Sequence, residues 1–259
     1  MTTDFSAGPY SARVWERVAE EVARIEQLPY LQELLDGTLE PEPFVNYLVQ
    51  DEFYLDAYAR AMSLLAARAG DQDQTRFWAQ AAGEAITVEQ QMHQDLLAED
   101  RFVGLVERFA GRPDEGVPGT GAPDPVTHAS PTALGYASFL VATAATEPYP
   151  VGVAAVLPCF WVYAHVGKVL VARAEEAHAS GTRMSLDTHP YGTWIRTYDS
   201  PEFDASVVQA VGVYEKLAAE AGEGPAGDAL RERMERAFVR ATVFERHFWD
   251  TAHHLQNWD

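Results

Sequence analysis

The chain has 259 residues, 47% of them hydrophobic and 22% charged, enough apolar material for a large core and typical of a globular rather than a disordered protein. Its 39 acidic against 19 basic residues, net −20, exclude the basic footprint that sequence-independent nucleic-acid binding requires and disfavour anionic membrane surfaces. A single cysteine closes no internal disulfide, Met1-Thr-Thr-Asp-Phe5 begins no charged-then-apolar signal, and no run reaches the roughly 20 apolar residues of a membrane helix. The expectation is a soluble cytoplasmic protein.

In chain order, Val14, Trp15, Val18, Val22 and Ile25 recur with helical period and predict one amphipathic helix over 10–27. A short helix over 30–36 ends at Gly37, a suitable left-handed cap. Pro41 and Pro43 suit the first turn of a long helix running to about Ala69. A third spans roughly 73–98, with Trp78, Ala81, Ala85, Val88 and Met92 on one stripe. Residues 111–130, rich in proline and glycine, read as a surface loop within one domain covering 1–259. Ser130-Pro131 and Ser200-Pro201 each pair a capping side chain with proline at the first helical position, opening helices to about Thr146 and Ala221. Between them lie a helix over 151–180, closed by Gly181 and carrying Pro158, and a short one after His189. A final helix covers about 228–256. With no alternating strand pattern, the fold class is all-α, a single multi-helix bundle.

Three features do not fit a bland core. Cys159 follows Pro158 in the most apolar segment, with Tyr163 one turn beyond on the same face. A buried cysteine often acts as a small hydrophobe, so nucleophile and core residue both stay open. Asp51 projects from the stripe of Tyr47, Tyr54 and Leu55, and Glu245 falls in line with Phe238, Ala241 and Phe248. Carboxylates on an inward face are paired or functional, and desolvation moves them toward acid–base work. Glu89 with His93, and Asp250 with His254, have spacings a metal could use. On the last helix, however, Asp250, His254 and His247 lie about 140°, 180° and 160° round from Glu245. No Gly-rich phosphate loop with its Lys-Ser/Thr signature is present.

Four stretches resemble one family. Residues 37–55 (Gly-Thr-Leu-Glu-Pro-Glu-Pro-Phe-Val-Asn-Tyr-Leu-Val-Gln-Asp-Glu-Phe-Tyr-Leu) are similar to the N-terminal signature of the TenA, or thiaminase II, family. Leu157-Pro-Cys-Phe-Trp-Val-Tyr163 matches its Leu-Pro-Cys-x-Trp-x-Tyr motif. Residues 190–203 resemble its Tyr-x-x-Trp-Ile…Tyr…Glu-Phe segment, and Phe244-Glu-Arg-His-Phe-Trp-Asp250 its closing Glu-x-x-Phe-Trp-Asp.

The resemblance implies the haem-oxygenase-like all-α bundle, no cofactor or metal, and commonly a homotetramer. It implies cleavage of 4-amino-2-methylpyrimidines, thiamin or the aminomethyl product of its breakdown, at the exocyclic methylene. The small-molecule pyrimidine would be the partner. Carried over by position, Cys159 is the nucleophile, Glu245 the acid/base near the leaving group, and Asp51 the group that holds the ring amidine edge. Tyr54 packs on the pyrimidine, Tyr136, Tyr163 and Phe248 line the pocket, and Tyr191 hydrogen-bonds the ring. None of these positions is substituted, though the 111–130 loop is longer than the family needs. Rival readings are a haem or di-iron oxidase on the same fold and a non-catalytic pyrimidine binder.

Overall fold

The structure is a computed structural model that describes residues 4–110 and 128–258, apart from the side chains of Val88, Glu89, Gln90, Val103 and Ala110. Most of the expected 111–130 loop therefore lies outside the described residues. Among those described there are helices and no strand. The chain divides into two compact units, residues 1–39 with 148–246 and residues 40–147 with 247–259.

In the first unit, the helix expected over 10–27 is two: α1 (Pro9–Arg17) and α2 (Ala19–Ile25), broken at Val18. The apolar period runs through the break because Val14, Val18, Val22 and Ile25 are all buried, so burial hides it in the sequence. The start of α1 takes its cap from far along the chain. Glu215 accepts hydrogen bonds from the Ser11 amide at 2.6 Å, the Ser11 hydroxyl at 2.7 Å and the Tyr10 amide at 3.3 Å. A carboxylate there satisfies orphan N–H groups and complements the positive end of the helix.

Helix α3 (Pro29–Asp36) ends as expected at Gly37, whose φ of 71° lies in the left-handed region glycine favours. The core element of the first unit is α9 (Tyr149–Ala179), ninth of the described α-helices in chain order. It is long and apolar enough to span a membrane, contrary to the reading of the sequence, yet 89% of its most apolar stretch is buried inside the protein. That makes it a core helix whose hydrocarbon is covered by protein. It runs as one helix with Pro158 inside it. Trp15 of α1 stacks on its Trp161 at 4.5 Å.

Helices α10 (Gly192–Thr197) and α11 (Pro201–Glu220) pack against α9. A methyl group at Gly167 would come within 2.9 Å of the Tyr198 backbone, so only glycine allows this approach. One turn on, the buried Lys168 ammonium donates to Asp199 at 2.9 Å and Asp204 at 2.8 Å, a fully compensated buried charge. Ser200 caps α11, accepting from the Phe203 amide, as its sequence signal predicts.

In the second unit, α4 (Pro41–Arg68) starts on its prolines and is the spine. Against it lie α5 (Gln72–Glu84), α6 (Gln90–Leu97), α7 (Val103–Ala110) and α8 (Pro131–Thr146). The Gln50 amide bridges to α8's entrance, donating to the His128 carbonyl at 3.0 Å and accepting from the Ser130 amide at 2.7 Å. Ser130 caps α8 by accepting from the Ala133 amide. Arg68 donates to the carbonyls of Ala144 and Glu147 at the end of α8, where such groups lack helical donors. Helix α7 was not foreseen; Phe102 at its entrance is fully buried beside Phe44 at 5.6 Å.

Between α5 and α6 the helix expected over 73–98 widens into a π segment, Ala85–Glu89. It coincides with the β-branched run Ile86-Thr87-Val88, which crowds an α-helix. A π turn holds one residue more than an α turn, so later side chains are displaced by about 100°. Met92, on the inward stripe by unbroken period, is accordingly only half-buried, and His93 is fully buried in its place. The last helix, α12 (Pro225–His253), begins in the first unit and ends in the second, where Asn46 of α4 donates to its Ala252 carbonyl.

Candidate functional site

The residues singled out in the sequence are divided between the two units. In the second unit, α4 projects Asp51 and Tyr54 from the same buried face, each no more than 2% exposed. Tyr54 is the hub of an aromatic cluster. Its ring centroid lies 4.8 Å from Tyr136 of α8, 5.5 Å from Phe248 of α12 and 5.5 Å from Tyr58, and Phe248 sits edge-on to Tyr47 at 5.7 Å. Three of the predicted pocket residues, from three helices, are thus brought together, and Asp51 shares α4 with one of them, Tyr54. Flat faces and edges at these spacings are what a planar ring recognises.

The sequence reading considered His93 only as a metal ligand paired with Glu89. In the structure its Nε2 lies 3.4 Å from Asp51 Oδ2. Burial pushes its pKa down to about 4, so the imidazole is neutral at physiological pH. Glu52, the next residue on α4, has its carboxyl raised by burial. Among the described residues, no group of three or more His, Cys, Asp and Glu side chains is placed to hold a metal ion. His254, just past the end of α12, is exposed and pairs with Asp250 of that helix.

In the first unit, Cys159 is in no disulfide and is partly exposed. Its neighbours are not: Val151 to Pro158 and Phe160 to Ala164 are all buried. Within the most apolar stretch of this core helix, Cys159 is thus less buried than the residues on either side of it. Tyr163, one turn on, is buried with its ring 5.0 Å from Tyr198. Glu245 of α12 is 1% exposed, as its inward position predicts.

Tyr191 is held from both ends. Its hydroxyl donates to the Leu39 carbonyl at 2.6 Å, and its amide donates to His189 Nδ1 at 3.1 Å. Because Nδ1 accepts, the Nε2 of His189 carries the proton and donates to the Leu35 carbonyl at 3.2 Å. Burial keeps His189 below its ordinary pKa, consistent with this neutral form. With its one proton committed to Leu39, the Tyr191 hydroxyl offers a ligand lone pairs only.

Comparison with known proteins places these residues in a family context. Residues 16–100 and 126–254 match the TENA/THI-4/PQQC family. The chain is 37% identical over 246 residues, 95% of its length, to the thiamine biosynthesis multifunctional protein ThiED of Corynebacterium efficiens, but spans only 28% of that protein. It is 29% identical over 231 residues to the aminopyrimidine aminohydrolase of Bacillus subtilis, covering 89% of this chain and 84% of that one. A solved TenA homologue from Pyrococcus furiosus superposes with a TM-score of 0.73 at 22% identity, covering 94% of this chain and 100% of the other. That likeness shows the fold: the all-α, haem-oxygenase-like architecture.

Proposed function

The chain belongs to the TENA/THI-4/PQQC family, and from that premise we propose that it is an aminopyrimidine-cleaving hydrolase of the thiaminase II type, acting in thiamin metabolism. The observation that carries this reading is Cys159: the one cysteine of the chain, inside the Leu-Pro-Cys-x-Trp-x-Tyr motif and accessible where its flanking residues are buried. The names of the relatives from Bacillus subtilis, Halalkalibacterium halodurans and Helicobacter pylori, all aminopyrimidine aminohydrolases, support it.

The exocyclic methylene of a 4-amino-2-methylpyrimidine resists direct displacement while the ring is aromatic. In the proposed route the Cys159 thiolate adds to the ring, forming a C–S bond and breaking the aromaticity. Electrons from the amino-conjugated system then expel the leaving group: from the aminomethyl substrate an amine that takes up a proton, from thiamin the neutral thiazole. Water adds to the resulting exocyclic alkene, and loss of the thiolate restores the ring. The balance is a C–N bond broken, a C–O bond formed and one water consumed. Glu245 moves protons to the leaving group and from the water, and burial suits a carboxyl to that exchange. Asp51 holds the amidine edge of the ring, where a carboxylate accepts the N–H hydrogens. Tyr54, Tyr136, Tyr163 and Phe248 supply apolar and aromatic walls, and Tyr191 accepts from a ligand amino group.

The test is turnover of 4-amino-5-aminomethyl-2-methylpyrimidine and of thiamin by the purified protein and by Cys159→Ser. The wild type is expected to release 4-amino-5-hydroxymethyl-2-methylpyrimidine. The variant is expected to stay folded by circular dichroism with kcat lower by about 100-fold or more. Activity at the wild-type level in Cys159→Ser would sink the thiolate route.

A further inference from the structure

His93 has no part in the route above, yet its environment among the described residues is unusual for a polar side chain. It is completely buried, and neither ring nitrogen makes a hydrogen bond of ordinary geometry to any described residue. Burying an imidazole without partners is costly, and such an orphan calls for a reason. The Asp51 carboxylate lies 3.4 Å from Nε2, beyond a normal hydrogen bond and within reach of a small side-chain adjustment. Contacts of this kind in unliganded catalytic sites often tighten only when the ligand binds.

The local backbone adds a second, independent observation. His93 points inward because the π segment Ala85–Glu89 advances the register of α6, exchanging it for Met92. Single π turns of this kind occur frequently at functional sites. A purely structural core would be served as well by the methionine that the unbroken helix would put there.

We infer that His93 is a positioning residue for Asp51: its neutral imidazole presents an Nε2–H to Asp51 Oδ2, holding the carboxylate as an oriented anion for the amidine edge of an aminopyrimidine. The inference rests on the function proposed above and assigns a role to a residue outside its reacting set. A neutral partner suits this task better than a cation. Lysine or arginine would neutralise Asp51 and compete with the ligand's N–H groups, whereas a neutral N–H fixes one oxygen and leaves the charge for the ligand. The low pKa that burial imposes on His93 keeps it in this form throughout the physiological range.

Two measurements decide the matter. In protein labelled with 15N-histidine, His93 is expected as the neutral Nε2–H tautomer at pH 7, with its ring resonances shifted by Asp51→Asn. The Nδ1–H tautomer, or resonances indifferent to Asp51→Asn, would overturn the inference whether or not the protein turns over pyrimidines. In a kinetic cycle on 4-amino-5-aminomethyl-2-methylpyrimidine, His93→Phe is expected to lower kcat/KM by about 10- to 100-fold, the scale of a misplaced catalytic group. His93→Gln, which keeps an N–H donor, should recover to within about threefold of the wild type. On an Asp51→Asn background His93→Phe should cost nothing further, since its target is gone. Losses that multiply in the double variant would mean His93 acts independently of Asp51, against the inference. If the wild type neither binds nor cleaves either pyrimidine, the functional proposal fails and the resonance measurement alone decides the role of His93.

Discussion

Two buried histidines, one in each unit, divide the molecule into a part that is finished and a part that is waiting. His189 accepts from the Tyr191 amide and donates to the Leu35 carbonyl, so both nitrogens are used and its tautomer is settled by the backbone. His93 is equally enclosed, and its Nε2 stands 3.4 Å from Asp51 with no hydrogen bond formed among the described residues. The same contrast holds for charge: Lys168 is buried between two carboxylates that compensate it. Fully satisfied buried polar groups give rigidity to a fold, whereas an under-satisfied one is retained for what it does to its neighbour.

The sharpest way to break this comparison is acid. The folded pKa of His93 is pushed down to about 4 from an ordinary 6.5. A histidine depressed in this way contributes stability that is present above 6.5 and lost as pH falls from 6.5 toward 4. The loss is on the order of 3 kcal/mol, because only the unfolded chain takes up the proton in that window. Urea unfolding of wild type and His93→Phe at pH 7 and pH 4 should show the variant free of that part of the decline. Equal acid sensitivity in both would mean His93 is not held neutral by burial.

A smaller effect tests the finished histidine. His189→Leu leaves the Tyr191 amide and the Leu35 carbonyl without partners and should cost roughly 2 kcal/mol at pH 7, read as a lower urea midpoint at unchanged slope. His93→Phe at the same pH should cost less, since it removes no well-formed bond; the reverse ranking would dissolve the contrast. At the low end, Ser200→Ala removes one local capping bond and should cost about 1 kcal/mol, setting the scale for a side chain whose role is confined to its own helix.

Much of the fold was legible because helices are local. Pro41 and Pro43 at the start of α4, the serine caps of α8 and α11, and Gly37 after α3 each act within one turn of themselves. The inward placement of Asp51 and Glu245 followed from period alone, and both are buried. The misreadings share one cause. An apolar stripe continues across the break at Val18 and, nearly, across the π segment, so periodicity conceals where the backbone changes its winding. Ile86-Thr87-Val88 was the available warning, but its consequence for His93 appears only three-dimensionally.

By itself, then, the sequence determined the all-α class, most helix starts, the four family motifs and the single cysteine on which the proposed chemistry turns. Only the tertiary structure decided that Cys159 is accessible inside a buried helix, that the Tyr191 hydroxyl spends its proton on Leu39, and that His93 faces Asp51. The reason is range. A cap or a hydrophobic stripe is written in residues within a few positions of one another. The partners of Tyr191 and Asp51 lie 152 and 42 positions away, brought near by packing that no local pattern encodes.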